Sequence, residues 1–287
     1  MAHLEGLPLP AGPVIFALSM RATLFPLLLA AGLAMPLPGF AQAATPCPVP
    51  RPLTFHLERT VHRDMPGFTE GLEWHDGAIW ESTGDLFGET RINRIDPATG
   101  HVTSLINAGK DYFGEGLTVF NGHFYQMTWR EHRVFVFDQA FKHLPELSNP
   151  REGWGLTHDT TDLIASDGSD TLFFLNPKDF SVRRKLKVRV VEQALPAINE
   201  LEWVNGAIWA NVFEDWNLAK ISPVTGCVEA VVDLRPLLKQ MTPEQRRKVL
   251  GEPNFVPNGV AHDPATGQFI VTGKYWPALF FGRITEN

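Results

Sequence analysis

The stretch Tyr112-Phe113-Gly114-Glu115-Gly116-Leu117 places one carboxylate between two glycines at the start of an apolar run. Glycine lets its backbone approach a neighbouring segment closely and leaves its own side-chain space empty. The pattern therefore predicts that Glu115 stands in an open space rather than against packed neighbours.

Variants of this sequence motif recur along the chain, and each is followed by a short turn and a second strand-like run. The five copies align on one apolar position, which is occupied by Leu72, Leu117, Leu156, Leu201 and Val260. The steps between these positions are 45, 39, 45 and 59 residues. A period in this range, built from short strands and turns, is typical of a β-propeller with one four-stranded blade per copy. The sequence thus predicts an all-β fold, a five-bladed β-propeller.

Mostly polar residues stand two positions before the aligned apolar residue. In chain order they are Glu70, Glu115, Trp154, Asn199 and Asn258. Residues two apart in a strand share a face, so a polar residue beside a buried one predicts that the strand emerges from the core there. In a radial array the five positions would converge on a central channel, and each of these side chains can form a hydrogen bond.

A helical insertion before the last blade explains the long fourth step. The spacing of Leu234, Leu237, Leu238 and Met241 predicts one or two helical turns, and Thr242 is predicted to start a new helix. The segment from 56 to 63, which precedes the first copy, is expected to supply the outer strand that completes the fifth blade.

Residues 1–43 are predicted to be upstream sequence plus a signal peptide that is removed. Met20-Arg21 precedes a short apolar run and the small-residue site Ala41-Gln42-Ala43, which together indicate a secretory signal rather than a spanning helix. We expect translation to start at Met20. The mature chain, 44–287, is expected to form a single propeller domain, periplasmic or secreted, with no membrane association once the signal is removed.

The two cysteines, Cys47 and Cys227, could form a disulfide in an oxidising compartment. Two unpaired thiols are the alternative, because a sequence does not supply the geometry. The net charge of −7 argues against nucleic acid as a partner. A self-contained propeller needs no partner subunit, so we expect a monomer.

Several separated motifs together resemble the glutaminyl cyclases of the plant and bacterial type, also called glutamine cyclotransferases. The motifs are Phe68-Thr69-Glu70-Gly71-Leu72, Glu81-Ser82-Thr83-Gly84, Tyr112-Phe113-Gly114-Glu115-Gly116-Leu117-Thr118, Gly153-Trp154-Gly155-Leu156, Ser166-Asp167-Gly168-Ser169, Asn199-Glu200-Leu201-Glu202-Trp203, Ile208-Trp209-Ala210-Asn211 and Val271-Thr272-Gly273-Lys274-Tyr275-Trp276-Pro277. The resemblance covers essentially the whole mature chain in the same order. It implies a five-bladed propeller that converts the N-terminal glutamine of peptides or proteins to pyroglutamate and releases ammonia. We expect no catalytic metal or other cofactor, and a structural calcium ion is left open.

Three residues are expected to be catalytic. Glu115 matches the family's catalytic glutamate, and desolvation among aromatic side chains would raise its pKa towards that of the substrate's α-amine. Lys274 matches the family's lysine, and Asn199 offers an amide; both could donate hydrogen bonds to the oxyanion that forms during the reaction. A channel-lining role without chemistry is the alternative for the glutamates.

The expected substrate-binding residues are polar side chains of the channel and flat aromatic walls: Glu70, Asn211, Asn258, Trp129, Trp154, Trp209 and Phe213. For Trp209, packing between blades is an equal alternative. Phe213 stands where the plant pattern has a tryptophan, so an indole N–H contact would be lost there.

Two other functional classes fit parts of this sequence. A calcium-dependent lactonase-like hydrolase could use the oxygen atoms of Glu70, Glu115, Asn199 and Asn258 as metal ligands, although the ammonium of Lys274 would disfavour a divalent cation beside it. A non-catalytic propeller that binds a peptide end is the third class. Sensitivity to EDTA separates the first class from the cyclase.

Overall fold

Each copy of the repeat contains a β-strand that includes the aligned apolar residue, and we call it the first strand of that copy. The computed structural model describes residues 46–85 and 90–286, so the predicted signal peptide and upstream residues lie outside the described part of the chain. The five first strands are β2 (Thr69–His75), β6 (Gly114–Phe120), β10 (Leu156–His158), β16 (Ile198–Val204) and β20 (Pro257–Asp263). All five aligned apolar residues are at most 1% exposed, as expected for residues that hold these strands in the core.

Three sheets contain four strands each, paired antiparallel in chain order. Besides their first strands they contain β3 (Ala78–Thr83), β4 (Thr90–Ile95) and β5 (Val102–Gly109); β7 (His123–Thr128), β8 (Arg133–Asp138) and β9 (Leu147–Ser148); and β11 (Leu163–Ala165), β12 (Thr171–Leu175) and β13 (Val182–Lys187). A separate two-stranded ladder follows, formed by β14 (Arg189–Val190) and β15 (Gln193–Ala194).

The remaining strands form one eight-stranded sheet. They are β1 (Arg51–His62), β17 (Ala207–Val212), β18 (Asn217–Ile221), β19 (Val228–Asp233), β21 (Gln268–Gly273) and β22 (Ala278–Glu286), together with β16 and β20. Their order is β16-β17-β18-β19-β1-β22-β21-β20, and only the β1–β19 pair is parallel. The N-terminal strand β1, which contains most of the segment from 56 to 63, therefore pairs with the C-terminal strand β22.

The disulfide left open by the sequence is formed. Cys47, just before β1, is bonded to Cys227, just before β19, with their Cα atoms 5.3 Å apart. It thus ties the start of the described chain to the strand that pairs in parallel with β1.

The helical insertion lies between β19 and β20, as predicted. It consists of a 3₁₀-helix, Arg235–Gln240, and the α-helix α1, Pro243–Gly251. Thr242 caps α1: its hydroxyl accepts the Gln245 N–H, and the Gln245 side chain accepts the Thr242 N–H, which is the reciprocal pattern of a capping box. None of the described helices is long and apolar enough to cross a membrane.

The five first strands contact one another in a closed cycle, in which β2 adjoins β6 and β20, β10 adjoins β6 and β16, and β16 adjoins β20. Glycines make this close approach possible. A Cβ atom on Gly116 would lie 2.3 Å from the backbone nitrogen of Leu156, and one on Gly71 would lie 2.5 Å from that of Leu117. The glycines of the repeat are therefore required because the backbone of the next first strand passes directly beside them.

Candidate active site

A cavity of about 200 Å³ opens where the first strands begin. Every copy of the repeat contributes at least one side chain to its wall. The lining residues are Phe68, Glu70, Phe113, Glu115, Trp129, Trp154, Asn199, Phe213, Asn254 and Lys274. The cavity thus brings together seven of the ten predicted site residues, including all three of those expected to be catalytic.

Bulges accompany the polar position in four first strands, and in three of them the polar residue lines the cavity. In four copies the register between the first and second strands shifts at the polar position: between Thr69 and Gly71, Gly114 and Leu117, Ile198 and Leu201, and Pro257 and Val260. A β-bulge locally re-aims a side chain. The strands β2, β6 and β16 stay buried from the polar position to the aligned apolar residue, and their polar residues Glu70, Glu115 and Asn199 line the cavity.

Glu70 and Lys274 form a buried ion pair. Nζ of Lys274 lies 2.6 Å from Oε1 of Glu70, and the two side chains are 6% and 2% exposed. The other carboxylate oxygen of Glu70 accepts a hydrogen bond from Nδ2 of Asn258 at 3.1 Å. The ammonium also lies 4.5 Å from the ring of Phe68 and 5.4 Å from that of Phe213, so cation–π attraction holds it in place as well.

Glu115 is the second buried carboxyl group of the cavity, and its residue is 5% exposed. Burial raises its pKa well above the ordinary value of 4.5, the negative charge of Glu70 raises it further, and Lys274 opposes both effects. Burial also raises the pKa of Glu70, but Lys274 lowers it through charge and a direct hydrogen bond. The ion pair therefore favours ionisation of Glu70 first, and it leaves Glu115 as the carboxyl group that loses its proton less readily.

Glu152 holds two tryptophan walls of the cavity in a fixed orientation. Its Oε2 accepts hydrogen bonds from the indole N–H groups of Trp129, at 3.0 Å, and Trp154, at 3.3 Å. Its other oxygen accepts from Nε of Arg130, whose guanidinium lies 3.8 Å from the centre of the Trp129 ring. Both indoles are thus locked by one carboxylate, whose pKa is lowered by these donors.

Asn199 and Phe213 complete the wall on the side of β16 and β17. Oδ1 of Asn199 is buried and has no hydrogen-bond partner among the described residues. An unpaired buried polar atom in a cavity wall is ready to bind a ligand group. The ring of Phe213 packs edge-on against Trp154 at 5.9 Å, so an aromatic ring forms the wall at this position.

Three predicted binding residues do not line the cavity. Asn258 lies behind Glu70, where Nδ2 donates to it. Oδ1 of Asn211 accepts the Gly259 N–H at 2.9 Å and so ties β17 to β20. Trp209 lies inside β17 and packs against Phe269 at 4.9 Å in the core, which is the packing role given as its alternative.

The sequence prediction missed Phe68, Asn254 and Glu152 as site residues. Phe68 and Glu152 stand four positions before the aligned apolar residue, as Phe113 does, so the repeat contained a signal for them. Asn254 lies in the loop after α1, where no repeat position could identify it. Each of these residues lines the cavity or holds a residue that does.

The described residues contain no group of three or more His, Cys, Asp or Glu side chains that could hold a metal ion. Within the cavity, both oxygens of Glu70 already have hydrogen-bond donors, Lys274 and Asn258. An ammonium in this position competes with a divalent cation for the same carboxylate.

Comparisons with known proteins agree with this chemistry. The model of the glutamine cyclotransferase family matches residues 29–284. A glutaminyl-peptide cyclotransferase of Arabidopsis thaliana is 33% identical over 225 residues, which cover 76% of this chain and 67% of that protein. The crystal structure of Myxococcus xanthus glutaminyl cyclase has a TM-score of 0.72 and 31% sequence identity, and the match covers 82% of this chain and 98% of that chain.

Proposed function

Because this chain belongs to the glutamine cyclotransferase family, we propose that it is a glutaminyl-peptide cyclotransferase. It converts the N-terminal glutamine of a peptide or protein to pyroglutamate and releases ammonia. The observation that carries this proposal is the single cavity in which Glu115, with a raised pKa, faces the Glu70–Lys274 ion pair between aromatic walls.

Both reactants belong to the same substrate molecule. The α-amine attacks the carbonyl carbon of the side-chain amide and closes a five-membered ring, so the enzyme has only to hold the reactive rotamer. The flat rings of Trp129, Trp154 and Phe213 line the cavity and can hold it. Because Glu152 fixes both indoles, this surface is formed before the substrate binds.

Glu115 moves the proton. As the new N–C bond forms, its carboxylate takes a proton from the attacking nitrogen and then gives this proton to the amide nitrogen that leaves. The old C–N bond breaks, ammonia departs, and Glu115 returns to its carboxylate form. An acid/base group works best when its pKa is close to those of its partners. The raised pKa of Glu115 brings it nearer to that of a peptide α-amine, roughly 7.7–8.0.

The ammonium of Lys274 and the Nδ2–H group of Asn199 donate hydrogen bonds to the oxyanion that develops on the amide oxygen. Preorganised donors in a site shielded from water are effective because they need no reorganisation during the reaction. Glu70 and the rings of Phe68 and Phe213 hold the ammonium of Lys274 in place. Glu70 and Asn258 thus act on the reaction by positioning this donor and by holding the negative charge beside Glu115.

The architecture that supports this site is a five-bladed propeller formed by residues 44–287. We infer that the eight-stranded sheet consists of two blades, β16 to β19 and β20 to β22 with β1, joined by the parallel β1–β19 pair. The closed cycle of five first strands supports this division. We also propose that the mature protein is a monomer, and that it is periplasmic or secreted, where its disulfide would be maintained.

The test is incubation of the purified mature protein with a glutaminyl dipeptide, in the presence and absence of EDTA. We expect release of one ammonia per peptide and a pyroglutamyl product at the same rate in both samples, because the proposed chemistry uses no metal. Loss of activity in EDTA with recovery on addition of calcium would contradict the mechanism and favour a metal-dependent hydrolase. Peptide binding without any ammonia release would contradict the enzymatic function.

A further inference from the structure

A second cavity, of about 120 Å³, adjoins the catalytic cavity. Phe68 lines both of them. Its ring packs edge-on against Phe113 at 6.0 Å on one side and Tyr275 at 5.3 Å on the other. The second cavity therefore begins one aromatic ring away from the groups that would act on the glutamine.

A third cavity, of about 250 Å³, adjoins the second. It shares Pro66 and Tyr275 with the second cavity and extends to Gln245 and Lys248 on α1. The second cavity thus shares wall residues with both the catalytic cavity and the third cavity. A peptide that places its first residue in the catalytic cavity advances by about 3.3–3.6 Å with each further extended residue. Its next residues would therefore come within reach of the second cavity.

The wall of the second cavity contains a hydrogen-bond acceptor without a partner. Asn93 is 2% exposed, and its Nδ2 donates to Oε2 of Glu81 at 3.1 Å. Glu81 is itself fixed by Arg63, whose Nη1 lies 2.5 Å from Oε1. The hydrogen bond to Glu81 thus fixes the orientation of the Asn93 amide. The Oδ1 atom of Asn93 has no partner among the described residues. An acceptor buried in this way requires an N–H or O–H donor.

The rest of this wall is mixed, with the charged residues Asp85 and Arg91 beside apolar surface. Met65, Pro66, Phe68 and Tyr275 give apolar surface on which a main chain or side chain can lie. A fixed acceptor beside apolar surface is the combination that binds backbone N–H groups while tolerating different side chains.

Resting on the proposed function, we propose that the second cavity binds the peptide chain that follows the N-terminal glutamine, with Oδ1 of Asn93 accepting a backbone N–H of the second or third residue. The enzyme then selects for glutaminyl peptides over glutamine derivatives that have no following residue. The selection depends on the main chain more than on the identity of the next side chain.

Substrate length is the first test, with the wild-type protein alone. We expect kcat/KM to rise by about ten-fold from glutamine amide to a glutaminyl tripeptide. Replacing the amide N–H of residue two or residue three by an ester oxygen should lower kcat/KM by about five-fold at one of these positions, which is the scale of one hydrogen bond. Equal kcat/KM values for glutamine amide, the tripeptide and both ester analogues would overturn the proposal.

A variant at the cavity rim is the second test, because replacing Asn93 would also remove a donor from buried Glu81. Met65 lines the second cavity and is 38% exposed, so Met65→Trp can block the cavity without a change in the core. The matched control is Leu105→Trp, since Leu105 is 39% exposed on β5 and lines none of the three cavities.

The measured quantity is the ratio of kcat/KM for the tripeptide to that for glutamine amide. We expect it to fall by about five-fold in Met65→Trp and to keep its wild-type value in Leu105→Trp. An unchanged ratio in Met65→Trp, or an equal fall in both variants, would overturn the assignment of the second cavity. Failure of the wild-type protein to cyclise any of these compounds would instead overturn the proposed function itself.

Discussion

Glu70, Glu115 and Lys274 share one cavity, and their arrangement divides the charge between them. The ammonium of Lys274 lies 2.6 Å from Glu70, so Glu70 holds the negative charge. Glu115 has to ionise beside that charge and in a buried position, which raises its pKa. Two neighbouring carboxyl groups thus receive different roles from their surroundings, one as a counter-ion and one as an acid/base group.

Glu70→Gln tests this division of charge. The substitution removes the negative charge that raises the pKa of Glu115 and leaves Lys274 without its counter-ion, so the pKa of Glu115 should fall. A lower pKa yields the carboxylate at lower pH. The acidic limb of the kcat profile should therefore move to lower pH, with a lower maximum because Lys274 is less well held.

The control for this experiment is Glu58→Gln. Glu58 bonds with Gln268 and Arg283 and lines none of the three cavities. The pH profile of kcat for Glu58→Gln should match that of the wild type. An acidic limb that stays in place in Glu70→Gln, or moves to higher pH, would show that Glu115 is not the group that titrates there.

For single residues, the sequence predicted the catalytic side chains better than the side chains that line the cavity. Glu115 and Lys274 could be identified because each lies in a distinctive motif. Trp209 was misplaced because a tryptophan within a strand and one at its end look alike in sequence; the side chain in the cavity is Phe213, one residue after β17 ends. Asn258 shares its repeat position with Glu70, yet it lies behind Glu70 rather than beside it.

At the scale of elements, the site depends on how closely the first strands approach. Gly116 donates its N–H to the Trp154 carbonyl at 2.6 Å, across neighbouring first strands. In the fourth copy Glu200 stands at the equivalent position, and its carboxylate accepts the N–H groups of Leu72 at 3.1 Å and Val260 at 2.8 Å. Backbone contacts in three copies are thus complemented by one buried carboxylate that joins β16 to β2 and β20.

Gly116→Ala should destabilise the protein, because the added Cβ would lie 2.3 Å from the Leu156 nitrogen. Overpacking of this kind costs roughly 1–3 kcal/mol, which lowers the melting temperature by roughly 2–12 °C in a protein of this size. Gly251→Ala is the matched control, since Gly251 ends α1 and has open space around it. A thermal melt in which both variants equal the wild type would contradict the role given to the repeat glycines.

The repeat predicted these elements well because buried apolar residues at a fixed position determine where each first strand starts. The bulges could not be predicted, since they add no recognisable residue to the pattern and are visible only as shifts in pairing. They decide which side chains enter the cavity. The helix start at Thr242 was predictable because its cap uses local side-chain chemistry.

At the scale of the whole molecule, the two ends of the described chain are held together. β1 and β22 pair along nearly their full lengths, and the Cys47–Cys227 disulfide links residues that are 180 apart in sequence. The strand pairing could be predicted because a propeller must close on itself. The disulfide could not, because its formation depends on the distance between two residues far apart in sequence.

Removal of the disulfide should destabilise the protein. A closed loop of this length restricts the unfolded chain strongly, and loss of such a bond costs roughly 2–5 kcal/mol. We expect the double variant Cys47→Ser, Cys227→Ser to show a lower free energy of unfolding in urea by this amount. A midpoint equal to that of the wild type would show that strand pairing alone closes the fold.

The most direct test of the whole account is Glu115→Gln, a change that keeps the shape of the side chain and removes its ability to move a proton. We predict that kcat for a glutaminyl tripeptide falls by at least about 100-fold, while the affinity for the peptide, followed by the fluorescence of Trp129 and Trp154, changes only a few-fold. Release of ammonia by Glu115→Gln at the wild-type rate would contradict the central claim that Glu115 carries the proton.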